Sequence, residues 1–157
     1  MTQHPNLHTR LVVLDGNMGF GKSTTGEWIG IVMEECGIPH EFIRETERPH
    51  PVQVSGFLGQ KANRTSVPDY IAQSVDKWSQ FVAKAESSDS ITILDGQLFH
   101  FNIDAMLFLD ADKEQIIRNT HGIAEIAQRL QPTLIYFRGE SAKSELDDVF
   151  TAEAGSS

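Results

Sequence analysis

The stretch "LDGNMGFGKSTT", residues 14–25, constrains the fold more than any other part of the sequence. Gly16, Gly21, Lys22 and Ser23 satisfy the pattern G-x-x-x-x-G-K-[ST], between a run of branched apolar residues and a segment with helical apolar spacing. Glycines allow the backbone to turn its N–H groups toward an anion, and the N-terminus of the following helix adds partial positive charge. The stretch therefore predicts a strand, a phosphate-binding loop and a helix in succession.

The loop residue types indicate a nucleoside triphosphate with Mg²⁺ as the ligand. Lys22 supplies a mobile positive charge for the β and γ phosphates, and Ser23 supplies a hydroxyl for the magnesium ion. We expect the nucleotide to be bound by the whole loop. Its residues are Gly16, Asn17, Met18, Gly19, Phe20, Gly21, Lys22, Ser23 and Thr24.

The rest of the chain predicts strands that alternate with helices. Apolar runs predict strands at residues 10–16, 40–46, 90–96 and 133–137, and apolar spacing predicts helices at residues 22–36, from 66 onward and at 112–130. The helix from residue 66 opens with the capping box "SVPD". This alternation favours an α/β fold with a parallel sheet covered by helices on both faces, and it predicts that the run "TLIYF" (133–137) is buried.

Asp95 ends the third apolar run, at the place where this architecture positions a carboxylate for Mg²⁺. An ordinary Asp-Gly turn is the alternative interpretation. Motors and helicases follow this Asp with an acidic residue that activates water, whereas Gly96 and Gln97 follow here. A GTPase would need an Asn-Lys-x-Asp tetrad to read guanine, and the sequence has none.

Length and charge set further limits. The 157 residues suit one domain, residues 1–157, with flexible ends at 1–9 and 151–157. The net charge of −9 argues against nucleic acid as a partner. Residues 1–84 carry 8 Lys/Arg against 9 Asp/Glu, whereas residues 85–157 carry 5 against 13, so we expect the first half to hold the bound anion.

The sequence also bears on location and partners. No apolar stretch is long enough to cross a bilayer, and the polar start lacks the apolar centre of a signal peptide. We therefore expect a cytoplasmic protein with no membrane partner. Cys36 is alone and has no disulfide or zinc role. The sequence leaves a homodimer open.

With these residues in view, the chain resembles the P-loop nucleoside and nucleotide kinases, and its loop is especially similar to that of deoxynucleoside kinases. Gly19 supplies the extra glycine of their G-x-x-G-x-G-K-[ST] loop, and the resemblance extends more weakly over residues 10–138. It implies a three-layer fold with a parallel sheet in the order 2-3-1-4, often with a fifth strand. It also implies transfer of the γ phosphate of ATP to a small acceptor beyond the carboxyl ends of the strands.

The resemblance also implies roles for single residues. Lys22 would hold the β and γ phosphates and assist catalysis, and Ser23 and Asp95 would hold the magnesium ion. In relatives of the deoxynucleoside kinases, a carboxylate just past the second strand accepts the proton of the acceptor hydroxyl. Glu45 or Glu47 would fill that position here, and the sequence does not choose between them.

Four further residues are candidates for binding the acceptor. Arg44 and Arg48 flank the two glutamates and would steady the acceptor or the transferring phosphoryl group, because a guanidinium matches phosphate oxygens. Phe99 and His100 would contact an acceptor ring. The alternative interpretation is that the arginines are solvated surface charges and that the aromatic residues belong to the core.

The sequence departs from these kinases near its end. They continue past the fourth strand into an arginine-bearing lid and a last strand, whereas no Arg or Lys follows Lys143 here. We therefore expect a shortened relative, and the sequence leaves the presence of a fifth strand open. A lid excludes water and neutralises charge during transfer. The sequence thus leaves two functions open, a small-molecule kinase and a nucleotide-binding module that works through a partner.

Overall fold

The computed structural model describes residues 9–54 and 65–138. Strands and helices alternate along the described chain, and a single 3-10 turn at Gln128–Leu130 precedes the last strand. The elements are β1 (Leu11–Gly16), α1 (Lys22–Glu35), β2 (His40–Ile43), α2 (Val67–Glu86), β3 (Ile91–Asp95), α3 (His100–Phe108), α4 (Lys113–Ala127) and β4 (Thr133–Phe137).

The four described strands form one parallel sheet in the order β2-β3-β1-β4, which confirms the α/β fold class and the order implied by the resemblance to P-loop kinases. In the register of the sheet, Leu14 lies opposite Asp95 and Gly16 lies opposite Phe137. Parallel strands end at the same edge of a sheet, so the loop after β1 and the residues after β3 emerge side by side.

Helices cover the sheet on both faces. On one face, Leu11 and Val13 of β1 pack with residues of α2 and α4, including Trp78 and Ile123. On the other face, Val12 and Leu14 of β1 pack with α1. Every residue of β1 and β3 is buried, because the side chains of a central strand point alternately into the two layers.

The prediction that the fourth strand is buried is wrong. β4 forms at the predicted residues, but Leu134 is 44% exposed and Tyr136 is 56% exposed. Within the described residues β4 is an edge strand that pairs only with β1. Ile135 and Phe137 point to the face of the sheet that α1 covers. Leu134 and Tyr136 point to the other face, and the described residues leave both of these side chains exposed.

The N-cap of α2 lies where the sequence predicts it. Ser66 accepts the backbone N–H of Asp69 at 3.2 Å, and its hydroxyl donates to the carboxylate of Asp69. Asp112 and Gln115 form a complete capping box at the start of α4, which was not predicted from the sequence. The sequence did not predict α3, whose N-cap residue Phe99 has no capping side chain.

Several expectations fall outside the described residues. The flexible ends, apart from Thr9, and the questions of a fifth strand and of a lid after β4 concern residues 1–8 or 139–157. Within the described ranges, no helix is both long and apolar enough to cross a membrane.

The close approach of the loop to β4 makes Gly16 a test of the fold. Its φ is +120°, and a Cβ added there would lie 2.2 Å from the carbonyl oxygen of Phe137. We expect Gly16→Ala to lower the free energy of unfolding by about 2 kcal/mol or more, measured by urea denaturation. Gly122→Ala is the matched control in α4, where a Cβ meets no atom within 4 Å, and it should be neutral or stabilising. Equal stability of Gly16→Ala and the wild type would contradict this packing.

Candidate phosphate-binding site

The loop after β1 has the conformation that a phosphate-binding loop requires. Gly19 and Gly21 have φ values of +81° and +83°, in the left-handed region that favours glycine. Gly21 is the N-cap of α1, and none of the described side chains caps this helix. Its first N–H groups therefore remain available to an anion.

A cavity of about 400 Å³ lies against this loop. Residues of the loop and of the first turn of α1 form most of its wall, and a single carboxylate from beyond β2 completes it. The lining residues are Met18, Gly19, Gly21, Lys22, Ser23, Thr24 and Glu45. The structure therefore brings one of the two candidate bases next to the candidate phosphate ligands.

Lys22 is buried, with its ammonium group held by the loop itself. Nζ donates to the carbonyl oxygens of Gly16 at 3.0 Å and Asn17 at 2.8 Å. Burial of an ammonium group is costly unless hydrogen bonds satisfy it, and these two carbonyls do so. The side chain is thus oriented before any ligand binds, and phosphate oxygens would be stronger partners than neutral carbonyls.

Ser23 and Asp95 meet across the edge of the sheet. The hydroxyl of Ser23 donates to Oδ2 of Asp95 at 2.5 Å, although 72 positions separate them in the chain. The other carboxylate oxygen, Oδ1, is buried and has no hydrogen-bond partner among the described residues.

These oxygen atoms fit the requirements of Mg²⁺, which prefers hydroxyl, carboxylate, phosphate and water oxygens. Within the described chain, no group of three or more His, Cys, Asp or Glu side chains could hold a metal ion. A site made by Ser23 and Asp95 would therefore need phosphate and water to complete the coordination, as is usual for nucleotide-bound magnesium.

The environment of Glu45 is acidic and crowded. A Cβ added at Gly96 would lie 3.2 Å from Oε2 of Glu45 and 3.7 Å from Cε of Lys22, so both side chains pass close to Gly96. Burial raises the pKa of the Glu45 carboxyl above its usual value, and the charge of Asp95 raises it further. Lys22 and His100 oppose this rise.

Glu47 lies elsewhere. It lines a separate cavity of about 410 Å³ between β2 and α2, together with residues such as Glu41 and Lys84. The two glutamates that the sequence could not distinguish therefore face different cavities, and only Glu45 lines the one at the loop.

Both candidate arginines have partners within the protein. Arg44 pairs with Glu27 of α1 at 2.8 Å, and its guanidinium lies 5.3 Å from the ring centre of Phe42. Arg48 donates to the backbone carbonyls of Glu45 and Glu47. Neither arginine lines the loop cavity, and a role in binding the acceptor stays a prediction for both.

Phe99 and His100 lie on the other side of the loop. They line a cavity of about 160 Å³ that also includes Asn17 and Tyr136. Nε2 of His100 is 3.4 Å from the carboxylate of Asp104, one turn further along α3. Binding of an acceptor ring by these residues also stays a prediction.

Three further residues shape the site and were not predicted from the sequence. Asp15 accepts backbone N–H groups at the start of α3. Gln53 donates its side-chain amide to the carbonyl of Glu45 at 2.9 Å, and His50 accepts the backbone N–H groups of Val52 and Gln53. The repeated "LDG" of the first and third strands pointed to Asp15, whereas no pattern pointed to His50 or Gln53.

No protein-family model matches the chain, and no curated protein matches it. Among solved structures, the chain is similar to a thymidylate kinase from Ehrlichia chaffeensis, with 12% identity and a TM-score of 0.40. The match covers 92% of this chain and 98% of that one. At this identity and TM-score, the match leaves the function of the present chain undecided.

His50 gives the site a testable pH dependence. Burial, helped by the charges of Arg48 and Lys77, lowers the pKa of His50 to about 4, against an unfolded value near 6.5. Nδ1 accepts two backbone N–H groups, so protonation would break both hydrogen bonds. The stabilising effect of neutral His50 is complete above pH 6.5 and is lost as the pH falls toward 4.

We therefore expect His50→Asn, whose amide oxygen can accept the same N–H groups, to lose less stability than the wild type between pH 6.5 and 4. The measurement is the melting temperature of both proteins across this range. An equal decrease of the melting temperature in the two proteins between pH 6.5 and 4 would show that His50 does not titrate in this way.

Proposed function

We propose that the protein is an ATP- and Mg²⁺-dependent phosphotransferase that acts on a nucleoside, a nucleotide or a similar small molecule. The observation that carries the proposal is the carboxylate of Glu45 in the same cavity as Lys22 and Ser23. A carboxylate that holds no metal ion repels the phosphates, so it would weaken a site that only binds a nucleotide. A phosphotransferase needs a base at this place, within reach of the acceptor hydroxyl.

Binding of the nucleotide would use the positive end of the site. The N–H groups at the start of α1 and the ammonium of Lys22 would stabilise the β and γ phosphates. Ser23 and Asp95 would hold Mg²⁺, and the bound ion would neutralise negative charge on the phosphates. The environment of Asp95 supports a role as metal ligand, because its buried Oδ1 has no hydrogen-bond partner in the described chain.

Transfer itself would proceed by in-line displacement. The acceptor hydroxyl oxygen forms a bond to the γ phosphorus as the bond from that phosphorus to the bridging oxygen of ADP breaks, and the hydroxyl proton passes to Glu45. Burial and the neighbouring Asp95 raise the pKa of Glu45, which makes its carboxylate a better proton acceptor than an exposed one.

The competing function is a nucleotide-binding module without efficient transfer. It would share the loop, Lys22 and the magnesium ligands, and it would differ only in the role of Glu45. Experiments that separate nucleotide binding from phosphoryl transfer therefore distinguish the two functions.

Lys22→Ala tests nucleotide binding. We expect ATP·Mg²⁺ to raise the melting temperature of the wild type, and we expect the variant to lose about 10- to 100-fold in affinity because a charged hydrogen-bond partner is removed. Lys113→Ala, at the exposed start of α4, is the matched control and should bind as the wild type does. Absence of a thermal shift in the wild type would refute a nucleotide site.

Glu45→Gln tests transfer. For the nucleosides and nucleotides on a panel that react through a hydroxyl, we expect kcat to fall about 10²- to 10⁴-fold because the base is lost. ATP affinity should be equal or slightly higher, since a negative charge beside the phosphates is removed. Glu47→Gln, the matched change in the other cavity, should retain the wild-type kcat.

Two results would contradict this account. Retention of kcat by Glu45→Gln would show that Glu45 is not the base. A wild-type protein that binds ATP but phosphorylates no acceptor on the panel would favour the binding module.

A further inference from the structure

Helix α3 begins without a cap of its own. Its N-cap residue, Phe99, has no capping side chain, and its first turn holds no acidic residue. The first N–H groups of a helix need acceptors, and a helix that cannot supply them locally must find them elsewhere. The position of α3 is therefore set by a group from another element.

That group is the carboxylate of Asp15, near the end of β1. Oδ2 accepts the N–H of Phe99 at 2.7 Å, and Oδ1 accepts the N–H of His100 at 3.2 Å. Oδ1 also accepts the N–H of Gly16, the first glycine of the loop, at 2.7 Å. Asp15 is fully buried, so these charge-assisted bonds and the positive end of α3 replace its hydration.

One carboxylate thus joins the phosphate-binding loop to the start of α3. Its hydrogen bonds fix the backbone of Phe99 and His100 beside Gly16 and Asn17, where the four residues line one small cavity. His100 also interacts electrostatically with Glu45 across the site. A displacement of α3 would therefore change the distance between the imidazole of His100 and the carboxylate of Glu45.

We propose that Asp15 is a positioning residue of the phosphotransfer site, which holds α3 against the loop and so fixes the position of His100 beside Gly16 and Asn17. The inference rests on the proposed function. It adds a role to that mechanism, because Asp15 itself contacts neither the phosphate nor the acceptor. Asp15 acts through α3, and its removal should impair the use of the acceptor more than the binding of ATP.

The test is Asp15→Asn, which keeps one acceptor oxygen and replaces the other with an NH₂ group. Hydrogen exchange should become faster at the amides of Phe99 and His100. ATP·Mg²⁺ affinity should stay within about threefold of the wild type, while kcat/KM for the acceptor falls about 10- to 100-fold through misplacement of His100. Asp15→Glu keeps the charge and should fall between the wild type and Asp15→Asn in both measurements.

A double-mutant cycle shows whether Asp15 acts through His100. We expect Asp15→Asn to add little to the loss of kcat/KM in His100→Ala, because both changes remove the same contribution. Asp112→Asn is the matched control, since Asp112 caps α4 through the N–H of Gln115 at 2.8 Å. It should speed exchange at the start of α4 and leave kcat/KM unchanged.

The proposal is overturned if hydrogen exchange at Phe99 and His100 is unchanged in Asp15→Asn. It is also overturned if the losses of kcat/KM in Asp15→Asn and His100→Ala multiply independently in the double variant. If Asp15→Asn does not fold, Asp15→Glu provides the test. Exchange at Phe99 and His100 that is as slow in Asp15→Glu as in the wild type would then overturn the proposal. A wild type that transfers no phosphate would refute the proposed function alone, and the exchange measurements would still decide whether Asp15 holds α3.

Discussion

The parallel pairing of β1 with β3 and β4 is the constraint on which the rest of the site depends. Its register puts Leu14 opposite Asp95 and Gly16 opposite Phe137, so three chain segments reach the same edge of the sheet together. The hydrogen bond between Ser23 and Asp95 follows from this pairing. The pairing also explains why residue 16 is a glycine, because the carbonyl of Phe137 occupies the space that a side chain would need.

Three carboxylates, those of Asp15, Asp95 and Glu45, lie at or beyond the carboxyl ends of the strands, and their surroundings suit them to different tasks. Asp15 accepts three backbone N–H groups and uses both of its oxygens to do so, which suits an anchor. Asp95 accepts one bond from Ser23 and keeps a buried oxygen without a partner in the described chain, which suits a metal ligand. Burial and the charge of Asp95 raise the pKa of Glu45, which suits a proton acceptor.

Predictions that rested on short-range patterns were confirmed, as was the strand order implied by the resemblance, whereas two features that depend on distant partners were not predicted correctly. The loop, β1 and the cap at Ser66 follow from neighbouring residues, and all three formed as predicted. The start of α3 depends on Asp15, 84 positions earlier in the chain, so no local pattern marked it. The burial of β4 was predicted wrongly because composition does not show whether a strand has one neighbour or two.

The sequence by itself determined the four strands, the helices other than α3, the glycine-rich loop after β1 and the residue types at the candidate site, because backbone geometry and hydrophobic spacing act over a few residues. Only the tertiary structure decided which glutamate faces the loop. Glu45 and Glu47 are two residues apart in a segment that turns back through the bond from the N–H of Glu47 to the carbonyl of Arg44. The turn and the support of Gln53 direct Glu45 toward Lys22, and such directions arise only from packing against distant parts of the chain.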